Sequence, residues 1–278
     1  MKGAATWHRA WGRSSRSGRA SVDRAAQAVL DRAIAAHGGE AFWRGLSGVE
    51  ARLSAAGFLF TTKGRPPLSH MRMRASATEP RFTFFDYPRP GWRGEWIGDA
   101  EVRILDAEGH VVSRRERPRQ AFRGLRRQFR WDELDFLYFG GYATWNYLVT
   151  PFVFLRPGFE FERLPPIEGP QGKVERIAAI FPPDIPTHSR RQVFYFDEQG
   201  LLTRLDYTAE VVGGWAHAAH LCENYRDFGG LKAATKRRVW PTLFGDRPMP
   251  FPNLVALDID EIRLFSPCPT NPSASPPG

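Results

Sequence analysis

A chain of 278 residues with 42% hydrophobic and 13% aromatic side chains has the material for one large β-rich domain, and this composition excludes global disorder. Its two cysteines, Cys222 and Cys268, exclude a disulfide framework and a paired-cysteine metal site, and no apolar run reaches the ~18–20 residues of a membrane-spanning helix. The net charge of +9 is localised: residues 1–20 hold five basic side chains and no acid, and residues 112–131 hold eight arginines against Glu116 alone, a distribution that argues against a nucleic-acid groove.

The basic leader, residues 1–20, is expected to be disordered, and it lacks the apolar core of a signal peptide, so a cytoplasmic location is expected. Ser21 and Asp23 suit the start of a helix, in which Ala26, Val29, Leu30, Ala33 and Ile34 recur at helical spacing. His37-Gly38-Gly39 ends it, and Phe42 and Trp43 anchor one more short turn. From Val49 the period changes to two. Val49, Ala51, Leu53 and Ala55 alternate with Glu50, Arg52 and Ser54, which predicts a half-buried strand. Strands are also predicted at 68–75, 82–87, 92–97 and 102–105.

Residues 118–155 interrupt this pattern. Phe122, Leu125 and Phe129 predict a helical turn with arginines on its other positions. Trp131, Leu134, Leu137 and Tyr138 continue the stripe, Gly140-Gly141 is expected to break it, and 142–150 to resume as a helix ended by Pro151. Strands return at 159–164 and 174–181, separated by a loop over 165–170. A run of hairpins then occupies 188–240, and a last strand 254–265. The Pro/Ser-rich tail, 266–278, is expected to be disordered. The fold class is therefore mainly β: a curved antiparallel sheet or unclosed barrel of about eleven strands, formed by a single domain over 21–265. The N-terminal helix and the insert would plug its concave face.

The helix ending in Ala36-His37-Gly38-Gly39, the alternating strand from Val49, and the hairpin Phe194-Tyr195-Phe196-Asp197 to Gly200-Leu201-Leu202 carry a resemblance. So does the turn Asp227-Phe228-Gly229-Gly230-Leu231-Lys232 before a basic strand. In this order the elements resemble the lipoprotein-carrier superfamily of LolA, LolB and LppX. The resemblance implies an unclosed barrel over a hydrophobic cavity, an acyl or other lipid ligand, and export from the cytoplasm.

Three function classes follow. In the first, the insert is a lid over a bound lipid, acyl chain, isoprenoid or polyketide-like molecule. Its ligand contacts are expected from Trp131, Tyr138, Trp145, Phe152 and Phe154, together with Trp215. Arg123, Arg126, Arg127 and Arg130 would meet anionic groups or the surface of an anionic membrane. In the second, an enzyme works in the same cavity, with Asp206, Glu210 and His220, which share strand parity, as acid-base groups. In the third, the arginines bind an anionic surface or nucleic acid. His188, His217 and His220 do not make a metal set, because His217 and His220 point to opposite faces of a strand. No nucleophile elbow, HExxH or phosphate-binding glycine loop is present, so no cofactor or metal is expected.

Overall fold

The computed structural model describes residues 24–170, 172–242 and 247–267. The leader, the Ser21/Asp23 helix start and nearly all of the tail lie outside the described residues. Among the described residues four α-helices and thirteen strands are formed, the helices being α1 (Arg24–Ala36), α2 (Glu40–Arg44), α3 (Phe58–Thr62) and α4 (Glu133–Val149). The first six strands are β1 (Gly48–Ala56), β2 (Leu68–Ser76), β3 (Arg81–Phe85), β4 (Arg93–Ile97), β5 (Glu101–Leu105) and β6 (Val111–Glu116). The remaining seven are β7 (Glu160–Gly169), β8 (Gly172–Ile180), β9 (Arg191–Phe196), β10 (Leu202–Thr208), β11 (His217–Phe228), β12 (Leu231–Pro241) and β13 (Val255–Phe265).

All thirteen belong to one antiparallel sheet ordered β6-β5-β4-β3-β2-β1-β13-β12-β11-β10-β9-β8-β7. The chain enters at the centre and meanders out to β6. It then crosses to the opposite edge at β7 and meanders back until β13 pairs with β1, Gly48 opposite Phe265. The crossing segment, residues 117–159, therefore has to span the concave face from one edge to the other. It contains α4, which packs across β2 to β6, while α1 packs on β7 and β8.

Burial follows the pleat. Phe82, Phe84, Trp96, Val102 and Ile104 point inward from successive strands and form the floor beneath α4. On α1 the inward residues are Ala26, Val29, Leu30, Ala33 and Ile34, the face the periodicity predicts. In β11 the parity changes at Asn224, which sits at φ +56 and whose carbonyl accepts from Thr235 Oγ1 at 2.7 Å. This bulge lets Cys222 and Tyr225 both face inward.

The structure corrects four expectations. The sheet has thirteen strands rather than about eleven; β6 (VVSRRE) shows no alternation because it is an exposed edge strand whose charges deter further pairing. Residues 165–170 are not a loop. β7 runs through Pro165-Pro166 with a register shift, and the two prolines fall in the unpaired step between Leu164 and Ile167 of an edge strand, where no ladder N–H is required of them. The Phe122–Phe129 stretch forms two 3-10 turns, with Leu125 and Phe129 exposed, not a buried helical stripe. Finally, α4 is continuous through Gly140-Gly141. A Cβ on Gly140 would lie 2.9 Å from Phe84 Cζ, and one on Gly141 2.7 Å from Trp96 Cβ. These glycines set the helix down on the sheet; they do not break it.

The start of α4 is fixed by a capping box in which the Asp132 carboxylate accepts from the Asp135 backbone N–H and Asp135 answers it. Arg115 of β6 reaches both carboxylates, at 2.7 and 2.6 Å, and so ties the helix to the sheet edge at the start of the crossing.

Candidate functional site: an apolar cavity with a buried polar end

Between α4 and the concave face lies a cavity of about 470 Å³. Its walls are aliphatic and aromatic: Leu53 and Ala55 from β1, Met73 from β2, Phe136 and Ala143 from α4, and Leu257 from β13 are representative. These side chains come together because β1 and β13, the two ends of the sheet in sequence, pair at its centre under the helix. A volume of this order suits a small apolar molecule or part of an acyl chain.

The mouth is formed by α3 and three loops. Phe58 donates its backbone N–H to Asn253 O at 3.0 Å, and Gln128 Nε2 donates to Val212 O at 2.7 Å, which brings 128, 212–215 and 251–254 together around α3. Phe58, Gln128, Trp215 and Pro252 line the opening. Phe58 and Trp215 are 49% and 69% exposed there, and Phe129 and Phe251, exposed too, follow and precede the lining residues Gln128 and Pro252 in the chain; together they leave an apolar rim with no covering element among the described residues. Lys63 stands inside the mouth. Its ammonium donates to Gln128 O at 3.3 Å and lies 5.3 Å from the centre of the Trp131 ring, and burial lowers its pKa.

At the inner end the wall becomes polar. Tyr147, His188 and Tyr207 line the cavity and are linked: His188 Nε2 lies 2.8 Å from Tyr147 Oη, Tyr147 Oη 3.3 Å from Tyr207 Oη, and His188 Nδ1 3.1 Å from Tyr142 Oη. The His188 ring also stacks on Tyr207, centroid to centroid 3.9 Å. Burial, with Arg119 nearby, holds His188 at about 3, so it is neutral; burial also raises all three phenols. The cluster therefore offers uncharged donors and acceptors, suited to a hydroxyl, carbonyl or ester.

The predicted site residues disperse. Trp131 packs edge-on against Phe122, Tyr138 Oη donates to Asp99, and Trp145 Nε1 donates to Ser76 O at 2.9 Å. Phe152 stacks on Trp43, and Phe154 sits among Phe159, Phe161, Phe181 and Phe194. All five are buried away from the large cavity, and Trp215 alone of the six borders it. Arg123 is exposed beside a separate surface recess with Arg117 and Glu210, and Arg130 lies over Gly64; the side chains of Arg126 and Arg127 lie outside the described residues.

The acid-base trio is not assembled either. Strands β10 and β11 pair Leu205 with His220 and Asp206 with Ala219, so residues on one face have opposite, not equal, parity. Asp206 accordingly faces the convex side, bonded by Arg204 and the Tyr195 hydroxyl, and Glu210 pairs with Arg119 at 2.8 Å. His220 alone faces inward, and burial with Arg237 and His188 keeps it neutral. His217 is exposed at the mouth, bonded to Thr208. The reading of the sequence missed Tyr147 and Tyr207 as site residues and gave His188 no place in one; the available signal was that Tyr207, unlike Asp206, has the parity of the inward Leu205.

A sheet left open between β6 and β7, with helices laid across its concave face over an apolar cavity, is a LolA-like fold. The solved structures similar to this chain include a domain described as an outer membrane lipoprotein-sorting protein, from Vibrio parahaemolyticus, and a LolA superfamily protein from Nitrosomonas europaea. Each aligns with a TM-score of 0.51 at 12% identity, covering 88% of this chain and 94% of the other. At that identity the likeness is one of fold. No family model and no curated protein matches the sequence.

Proposed function

We propose that this protein binds and carries an apolar or amphiphilic molecule, a lipid, acyl chain or isoprenoid-like ligand, in the cavity beneath α4. The observation that carries the reading is the cavity itself: about 470 Å³ of apolar-walled space, open to solvent through an exposed aromatic rim and ending at a neutral polar cluster. Exposed apolar walls in a soluble fold are costly unless a ligand covers them. The uncharged inner end offers hydrogen bonds to the polar end of a bound molecule, which supports the carriage reading. Phe58, Phe129, Trp215 and Phe251, with Arg130 beside them, suit contact with an anionic lipid surface during loading.

The test is a cavity-filling substitution. Ala143 is 3% exposed and faces the cavity from α4. Ala143→Phe should raise or preserve thermal stability, because it fills apolar space, yet weaken binding of a fluorescent polyene lipid at least tenfold. Equal probe binding by wild type and variant would refute the cavity as the binding site. Mass spectrometry of an organic extract of the purified protein should identify the native ligand class.

A further inference from the structure

Behind the polar end of the cavity, two inward-facing side chains lack the partners their burial demands. Arg237 is 4% exposed. Its Nη1 donates to Cys222 Sγ at 3.1 Å and its Nη2 to the Tyr147 carbonyl at 3.0 Å, while Nε has no partner. Among the described residues no carboxylate lies within ion-pair distance of it. Burial pushes the Cys222 thiol up despite the guanidinium, so the sulfur is a weak acceptor and not a counter-charge. His220 is 0% exposed, with neither ring nitrogen bonded. The register places Cys222 opposite Arg237 and His220 opposite Val239, which makes Arg237 and His220 diagonal neighbours on the same face. The Tyr147 ring stands 4.4 Å from the His220 ring and 5.4 Å from the guanidinium.

A guanidinium cannot shed its proton, and a buried charge without a counter-charge is among the costliest groups a fold can hold. We infer that Arg237 and His220 form a buried anion site for a carboxylate-class monoanion. The source is either the acidic head of the amphiphile whose chain lies in the main cavity or a free small anion. The first source rests on the carrier reading above. Arg237, though not His220, borders a void of about 10 Å³, room for one water, whose wall shares Tyr147 and His188 with the large cavity, so an anion fits only when the void is enlarged on the Tyr147 side, where His220 stands behind the ring. Tyr147 is thus the partition between chain and head, and a head group enters when its ring swings aside. The neutral His220 supplies one N–H to the anion, and the unbonded Nε–H of Arg237 another.

The experiment compares cis-parinaric acid with its methyl ester on lipid-stripped full-length protein, and thermal midpoints in chloride with those in gluconate. Wild type should bind the acid at least tenfold more tightly than the ester. Arg237→Met, which removes the charge and keeps the volume, should bind both alike, and Arg237→Lys should retain part of the preference. Equal binding of acid and ester, with a midpoint raised by chloride in wild type but not in Arg237→Met, would assign the site to a free anion. Equal binding with no chloride effect, or an acid preference that survives in Arg237→Met, overturns the anion site. So does a large loss of stability of Arg237→Met in gluconate, which would make the guanidinium a purely structural donor. If neither probe binds, the carrier reading fails, and the chloride comparison still decides the site.

Discussion

Replacing Gly141 by alanine sets two known effects against each other. In a helix interior alanine is favoured over glycine by ~1 kcal/mol. At Gly141 the added methyl would fall 2.7 Å from Trp96 Cβ and 2.9 Å from Cγ. Those atoms sit at the base of a fully buried indole that is itself packed on Trp145, so they cannot rotate away, and α4 must lift from β4. Overpacking of this kind costs roughly 1–3 kcal/mol. Because the contact is at the backbone end of the side chain, the upper part of that range applies, and the net loss should be about 1–2 kcal/mol. Gly140→Ala supplies the control. Its methyl would meet only the tip of Phe84, 2.9 Å from Cζ, and that ring borders the cavity and can tilt into it. Its net change should be within ~0.5 kcal/mol of zero, the helix propensity offsetting the displacement. Urea unfolding with an unchanged m-value measures both. A Gly141→Ala protein as stable as wild type, or equal effects at the two positions, would refute the close-approach account of α4.

Further predictions concern charge and surface. His37 is held at about 4 by burial, His188 at about 3, and His220 well below its ordinary 6.5. Above about pH 6.5 their contribution to stability is complete. As the pH falls below that value the unfolded chain binds protons that the folded chain does not, so stability should fall by ~1.4 kcal/mol per pH unit per group, ~4 for the three together. A urea midpoint that stays constant from pH 7 to pH 5 would refute their neutral burial. Arg115→Met should cost about 2–3 kcal/mol, because it strips the bridging cation from Asp132 and from Asp135, which is 2% exposed; this is read from the thermal midpoint. Asp206→Asn and Glu210→Gln should leave probe affinity unchanged, since both lie outside the cavity; a tenfold loss would restore them to the site. Trp215→Ala with Phe129→Ala should leave folding intact and reduce sedimentation with vesicles containing phosphatidylglycerol, and undiminished binding would remove the rim from any membrane contact.

Much of the frame was legible in the sequence. Local period fixes which residues of one element share a face, so the buried stripe of α1 and the inward set Val49, Ala51, Leu53 and Ala55 of β1 follow from spacing alone. Turn residues such as Asp197 and Gly200 mark the hairpins, and the Asp197 carboxylate indeed accepts from the Leu201 N–H. The class of sheet, its curvature and the lidding insert could therefore be anticipated. The site could not, for three reasons. Parity within a strand is local, but which residues of two strands share a face depends on their register, and the Leu205–His220 pairing puts Asp206 on the outside. A helix as apolar all round as α4 is known to be buried, but its sequence does not say which side meets the core and which the cavity. The glycine pair in α4 reads as a break until the helix is seen resting on Phe84 and Trp96. Period and turn chemistry act over a few residues and so are written in the chain; register, helix rotation and close approach are set by contacts between distant segments, and the tertiary structure alone decides them.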